Sequence, residues 1–293
     1  MDQFIITRHI VPAAGEEGLK LSVNVYTPRL APPTIDVLLA HANGYHKELW
    51  HPVIEHLASA HARFIAYDIR NQGDSAALNM DKIGKDDFLW TQNVADMQSI
   101  IRHLGLRKPL LGVGHSIGGA CVLALEEDRP GTFERIISID PVCNPFPMDD
   151  PAYKEIAGAI VGRSAKRRAQ WRSREEARES FLKRAFFKVW DKQVLALHLE
   201  HGLKEHPVTG EVMLKCTPEQ EVNTFMGNNV SKKAHDGLPT IACPVLFIGG
   251  LDSEYNPPGN TENNAERCKH GRVVMLEGVG HLVPMEKPTL VGK

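Results

Sequence analysis

Short unbroken apolar runs alternate with amphipathic stretches through the first half of the chain. The runs fall at Lys20-Thr27, Ile35-His41, Arg63-Asp68, Pro109-His115 and Phe133-Ile139. Segments of helical periodicity lie between them, near 48–60, 87–104 and 118–128. Strands alternating with helices predict a parallel sheet with helices on both faces. Val37-Leu38-Leu39-Ala40 and Leu110-Leu111-Gly112-Val113 show no polar alternation, as strands buried on both faces do. From about Pro145 to Leu238 the strand-like runs vanish and charge becomes dense, with helical patterning at 151–161, 164–185 and 187–201. Two strand patterns then return, Cys243 to Gly250 and Arg272 to Leu276. The expected architecture is α/β: a mostly parallel central sheet built from 1–144 and 239–293, with a helical cap at 145–238 inserted before the last two strands. Such an insertion sits over the carboxyl ends of the strands, where open α/β sheets bind ligands.

Composition narrows the function classes. Over 293 residues, 34 Lys+Arg against 36 Asp+Glu give a net charge of −2, so there is no global electrostatic reason to bind nucleic acid or a membrane surface. No apolar run approaches the roughly 18 to 20 residues of a membrane helix. Met1-Asp2-Gln3-Phe4 lacks a basic n-region and an apolar core, which predicts no signal peptide and an intracellular location. Cys121, Cys143, Cys216, Cys243 and Cys268 are odd in number and show no C-x-x-C spacing, which argues against a disulfide framework and for a reducing compartment. Histidines recur at 41, 46, 51, 56 and 61, but a step of five turns a helix by about 140° and does not return to one face. No metal and no cofactor are expected.

The chemistry is concentrated at Gly114-His115-Ser116-Ile117-Gly118. This G-x-S-x-G follows a buried strand pattern and opens a helical one, the context of a strained elbow that lifts a serine hydroxyl out of the sheet edge. The elbow also aims the following amide, that of Ile117, at a developing oxyanion.

Further motifs match in order. His41-Ala42-Asn43-Gly44-Tyr45 follows the third strand pattern, Asp68-Ile69-Arg70-Asn71-Gln72-Gly73-Asp74-Ser75 follows the next, and Gly278-Val279-Gly280-His281-Leu282-Val283-Pro284 follows the last. With the elbow, they make residues from about 20 to 290 resemble the α/β-hydrolase superfamily. The resemblance implies an α/β-hydrolase fold, an oxyanion loop at 41–45, a structural D-x-R turn, and His281 as the general base. Asn71 stands where the family has glycine and is expected to take up the left-handed conformation there. Family order is Ser, acid, His, and two aspartates qualify. Asp252, beyond the strand Val245–Ile248, holds the usual position and is preferred. Asp140, after Ile136–Ile139, is the alternative. The second oxyanion donor is expected to be the Asn43 amide, with Tyr45 as the other choice because Ala42 replaces the usual glycine. Tyr45, His46 and His115 are candidate substrate-binding residues.

The segment from Arg163 to Lys192 is rich in Lys and Arg interleaved with Glu175, Glu176 and Glu179. It reads first as a solvated helix with i, i+4 pairs, and second as a site for a carboxylate or phosphate on the acyl group. Trp171, Phe181, Phe186, Phe187 and Trp190 on the same segment pack the cap or roof an apolar pocket. The implied activity is cleavage of an ester, lactone or thioester of a small, rather apolar molecule through an acyl-enzyme. Carbon–carbon cleavage, acyl transfer and a non-enzymatic receptor are the alternatives, and a homodimer is compatible with the reading. His41 to Trp50 and Ser138-Ile139-Asp140-Pro141-Val142 resemble a fungal subgroup that includes toxin-biosynthesis hydrolases and a yeast peroxisomal lipase. That resemblance implies secondary metabolism or lipid turnover, in the cytoplasm or the peroxisome, although Val291-Gly292-Lys293 is not a Ser-Lys-Leu address.

Overall fold

In the computed structural model, residues 1–15, 17–57, 61–80, 82–83, 88–147 and 149–291 are described. The end of the expected 48–60 helix (58–60), position 87 of the 87–104 segment and Gly292-Lys293 lie outside them. The expected strands form as β2 (Lys20–Pro28), β3 (Ile35–Ala40), β4 (Ala62–Tyr67), β5 (Leu110–His115), β6 (Arg135–Ile139), β10 (Val245–Gly250) and β11 (Gly271–Leu276). With β1 (Phe4–Pro12) they make an eight-stranded sheet in the order β1-β2-β4-β3-β5-β6-β10-β11, parallel from β4 through β11. The first strand, β1, pairs antiparallel with β2 at the edge. Its pattern signals no burial because Ile5, Ile6 and Ile10 face solvent.

Alternation along the central strands sorts side chains between two cores. Leu38, Ala40, Ile65 and Tyr67 join the core on one face, with α3 (Trp90–His103) and α4 (Ile117–Asp128). Val37, Leu39, Phe64 and Ala66 join the other, with α1 (His51–Leu57). Both faces are therefore covered, which is why these strands read as unbroken apolar runs.

Between β6 and β10 the structure is not purely helical. Helices Pro151–Ala165, Arg174–Leu182, Ala185–Lys188, Lys192–His201, Pro218–Met226 and Ser231–Gly237 surround a small antiparallel sheet of β7 (Gln170–Trp171), β9 (Val212–Leu214) and β8 (Leu203–Glu205). Strands of two or three residues are too short for a period-two signal to register, and Gln170–Trp171 interrupts the stretch that reads as one helix over 164–185. Trp171, Phe181, Trp190, Val212 and Leu214 form a third core that closes onto Ala42, Tyr45 and Leu282, from loops beyond the strand ends. This segment thus lies over the sheet edge where the motifs converge.

Among the described residues no helix is long and apolar enough to cross a membrane.

Candidate active site

Ser116 is the one residue between β5 and α4, at φ 56° and ψ −118°. The flanking glycines are sterically required. A Cβ on Gly118 would lie 2.2 Å from the Ala40 carbonyl oxygen, and one on Gly114 would lie 2.4 Å from that of Gly118. The small residues of G-x-S-x-G are what let helix and strand approach closely enough to force the serine outward.

His281, in the loop after β11, brings its Nε2 to 3.0 Å from Ser116 Oγ. Its Nδ1–H donates to Asp140 Oδ2 over 2.7 Å. An ionised carboxylate only accepts, so the proton on Nδ1 leaves Nε2 as a lone pair for the serine hydroxyl. His281 is held from two further directions, one at its ring and one at its backbone. Tyr255 stacks on it at 4.1 Å and 14°, and His115 Nε2–H donates to the His281 carbonyl over 2.8 Å.

The acid beside His281 is Asp140, not the preferred Asp252. β6 and β10 are parallel neighbours, so both aspartates leave the sheet at the same edge. Asp140 immediately follows β6, at φ 38°, and is buried. Asp252 lies two residues beyond β10 in the turn closed by the Ser253 amide on the Gly250 carbonyl, and is exposed. The loop carrying Asp252 contributes instead the donors that hold Asp140: Ser253 Oγ–H to Oδ2 at 2.6 Å and Asn256 Nδ2–H to Oδ1 at 2.9 Å. Burial works to raise the Asp140 carboxyl, but the hydrogen bond and charge of His281, with Ser253 and Asn256, outweigh it and hold the group below the usual carboxylate range.

The 41–45 loop is pinned to the D-x-R turn. His41 Nδ1–H donates to the Ala42 carbonyl and Nε2 accepts from the Ile69 amide. Asp68 accepts from the Lys47 amide at 2.7 Å and from Lys47 Nζ at 2.7 Å. The positive φ of that turn falls on Gly73, at 52°, where a Cβ would strike the Asp68 carboxylate. Asn71 has no positive φ, contrary to expectation; its side chain donates to Thr224 Oγ1 at 2.9 Å. Gln72 takes up the Gly44 amide at 2.9 Å and donates to Asn43 Oδ1 at 2.6 Å. Among the described residues the backbone amides of Asn43 and Ile117 donate to no other group of the protein.

Ser116 and His281 open on a cavity of about 360 Å³. Asn43 and Tyr45 line it, as do Phe186, Phe187, His198 and Tyr255. Two expected binding residues do not. His115 lies beneath His281 and braces it. His46 lies behind the wall, donating from Nδ1 to Glu48 Oε2 at 3.0 Å, with Nε2 3.3 Å from Nδ1 of His198. Of this pair it is thus His198 that reaches the cavity, and nothing in its sequence neighbourhood marks it. The same is true of Tyr255.

Burial lowers His41 to about 4, His51 to about 4 and His115 to about 3. All three stay neutral in the folded protein while their unfolded counterparts take up protons below about pH 6.5. The unfolded state then binds more protons, so stability falls as pH falls. We expect urea-unfolding free energy to drop between about pH 6.5 and 4, approaching roughly 1.4 kcal/mol per pH unit for each histidine. A flat profile over that window would contradict their neutral burial. Asp140 is shifted in the same direction for the opposite reason, its charged form being stabilised: its contribution is present above the ordinary carboxylate pKa and is lost as pH falls toward its lower folded value, so it adds to the acid-side loss.

The model of the alpha/beta hydrolase fold family matches residues 37–288, a span that runs from β3 through Ser116, Asp140 and His281. The chain belongs to that family. A type I acyl-CoA thioesterase of Penicillium brevicompactum is 27% identical over 228 residues, covering 70% of this chain and 52% of its own length. The chain therefore spans about half the length of the first curated relatives it matches. An abhydrolase domain-containing protein of Alternaria alternata is 26% identical over 219 residues, covering 62% of this chain and 80% of its own. Among solved structures, a peroxisomal alpha-beta-hydrolase from Saccharomyces cerevisiae superposes with a TM-score of 0.84 at 20% identity, covering 100% of this chain and 87% of that one. Both the family and the fold agree with those the motifs imply.

Proposed function

We propose that this α/β hydrolase is a serine hydrolase that cleaves a carboxylic ester, lactone or thioester through an acyl-enzyme. The observation that carries the reading is the hydrogen-bonded line Ser116–His281–Asp140 opening on a cavity walled partly by aromatic side chains. In this mechanism Ser116 Oγ attacks the carbonyl carbon as His281 Nε2 takes its proton. The negative charge that develops on the carbonyl oxygen is met by the Ile117 and Asn43 amides, which have no competing acceptor among the described residues. Imidazolium formed on His281 is stabilised by Asp140 and by the Tyr255 ring face. It then protonates the leaving alcohol or thiol, and water activated by the neutral imidazole releases the acid.

The thioester alternative is supported by the Penicillium relatives, named as acyl-CoA thioesterases; the ester alternative by a relative from Haemophilus influenzae named as a putative esterase/lipase. About 360 Å³ is near the lower end of the roughly 300–1,000 Å³ usual for ligand pockets, which suits a small acyl group.

A fluorophosphonate probe is expected to label Ser116, and turnover along a p-nitrophenyl ester and matched thioester series is expected to peak at short to medium chain length. A folded protein that neither takes the label nor turns over any member would overturn the reading.

A further inference from the structure

The basic stretch of the cap divides in two. Several of its cations form solvated surface pairs: Arg168 and Arg172 with Glu176 at 2.7 and 3.2 Å, Arg178 with Glu175 at 3.3 Å, and Lys183 with Glu179 at 3.7 Å. Exposed pairs of this kind contribute little. Four others, Arg163, Lys166, Arg167 and Arg184, line the cavity that contains Ser116 and His281. Two of these are matched, Arg163 to Glu254 at 3.1 Å and Arg167 to Glu221 at 2.6 Å. Glu221 also accepts from Ser164 Oγ at 2.7 Å. Glu221 and Glu254 are the two carboxylates of this lining, so four cations face two anions. Lys166 and Arg184 have no ion-pair partner among the described residues. Asp140, beneath the cavity, is engaged by His281, Ser253 and Asn256 and does not neutralise them.

We propose that Lys166 and Arg184 form a subsite for an anionic group of the substrate, a carboxylate or a phosphate carried at the far end of the acyl chain or on the leaving group. The proposal rests on the serine-hydrolase reading, because it specifies which esters or thioesters that site turns over best. Lys166 and Arg184 are exposed at the cavity wall, so they act on an anion through the screened field of the cleft: a surplus of one sign there raises the local concentration of the opposite sign. Arginine further offers a planar fork that matches carboxylate and phosphate oxygens. The substrate so defined has an apolar body against Tyr45, Phe186 and Phe187 and a negative charge at the basic wall.

The test compares two substrate pairs. Mono-p-nitrophenyl glutarate against its neutral methyl ester places a carboxylate on the acyl side. Butyryl-coenzyme A against butyryl-N-acetylcysteamine places phosphates on the thiol side. In the wild type, one anionic member is expected to be preferred at least about tenfold in kcat/KM, mainly through KM, with the preference shrinking as salt is added. The double variant Lys166→Glu/Arg184→Glu is expected to abolish or invert that ratio, and the surface control Lys183→Glu to leave it unchanged. Preference within the glutarate pair identifies a carboxylate on the acyl group; preference within the thioester pair identifies phosphate on the leaving group. Equal turnover of charged and neutral members, or a ratio the double variant does not move, would overturn the proposal while Ser116-dependent turnover leaves the hydrolase reading standing. Absence of all Ser116-dependent turnover, neutral esters included, would overturn both.

Discussion

Ser116→Ala is expected to lower kcat/KM on any ester the protein turns over by a factor on the order of 10⁴ to 10⁶, and to abolish phosphonate labelling. The size follows from what remains. The Ile117 and Asn43 amides and the cavity still bind and polarise the carbonyl, but no oxygen is left 3.0 Å from His281 Nε2 to attack it. His281→Ala should cost about as much, and the double variant little more than either single one, because the two groups act as one unit. Alanine keeps the Cβ, so the positive φ at 116 and its strain are retained, and thermal unfolding should match the wild type. A variant that keeps the wild-type melt and also keeps more than about one hundredth of its rate would move the nucleophile elsewhere.

The parts of this molecule legible in its sequence are those whose physics is local. The buried strands announce themselves because each face of Val37–Ala40 and Phe64–Tyr67 meets a different core and neither face is polar. The elbow is legible because Gly114 and Gly118 are demanded by contacts with their own strand, helix and immediate neighbour. What could not be read depends on juxtaposition. β7, β8 and β9 are too short for periodicity and acquire their identity only by pairing with one another. His46 and His198 are 152 positions apart, and only packing decides that the second faces the cavity while the first stands behind it. The same holds for the split of the basic cap segment: Lys183 and Lys166 look alike in sequence, yet one pairs with Glu179 on the surface and the other lines the cavity. Asn71 is instructive in another way, since a residue suited to positive φ sits two positions from the glycine that adopts it.

The second large effect separates the two aspartates. Asp140→Asn is expected to reduce kcat about 10³- to 10⁴-fold, and Asp252→Asn to stay within about threefold of wild type, as surface substitutions away from a site usually do. An asparagine at 140 retains the shape of the carboxylate, so the loss is chemical rather than steric. Its amide nitrogen would face His281 Nδ1 as a donor and favour the tautomer with the proton on Nε2, which removes the lone pair that takes the Ser116 proton. It would also leave the imidazolium without a counter-charge in a site where His281 and Asp140 are both buried. Asp252 offers no such route, since it is exposed in the turn after β10 and only its neighbours Ser253 and Asn256 reach Asp140. Those neighbours supply an internal check: Asn256→Ala removes one of the donors that keep the Asp140 carboxyl below its usual range, and should lower kcat by a smaller factor than Asp140→Asn while leaving the label on Ser116. The measurement is kcat for the three variants on one p-nitrophenyl ester, with unfolding midpoints alongside. The reverse order, with Asp252→Asn crippled and Asp140→Asn active, would assign the acid to the loop after β10 and require that loop to fold over in solution so that Asp252 displaces Asp140 from His281.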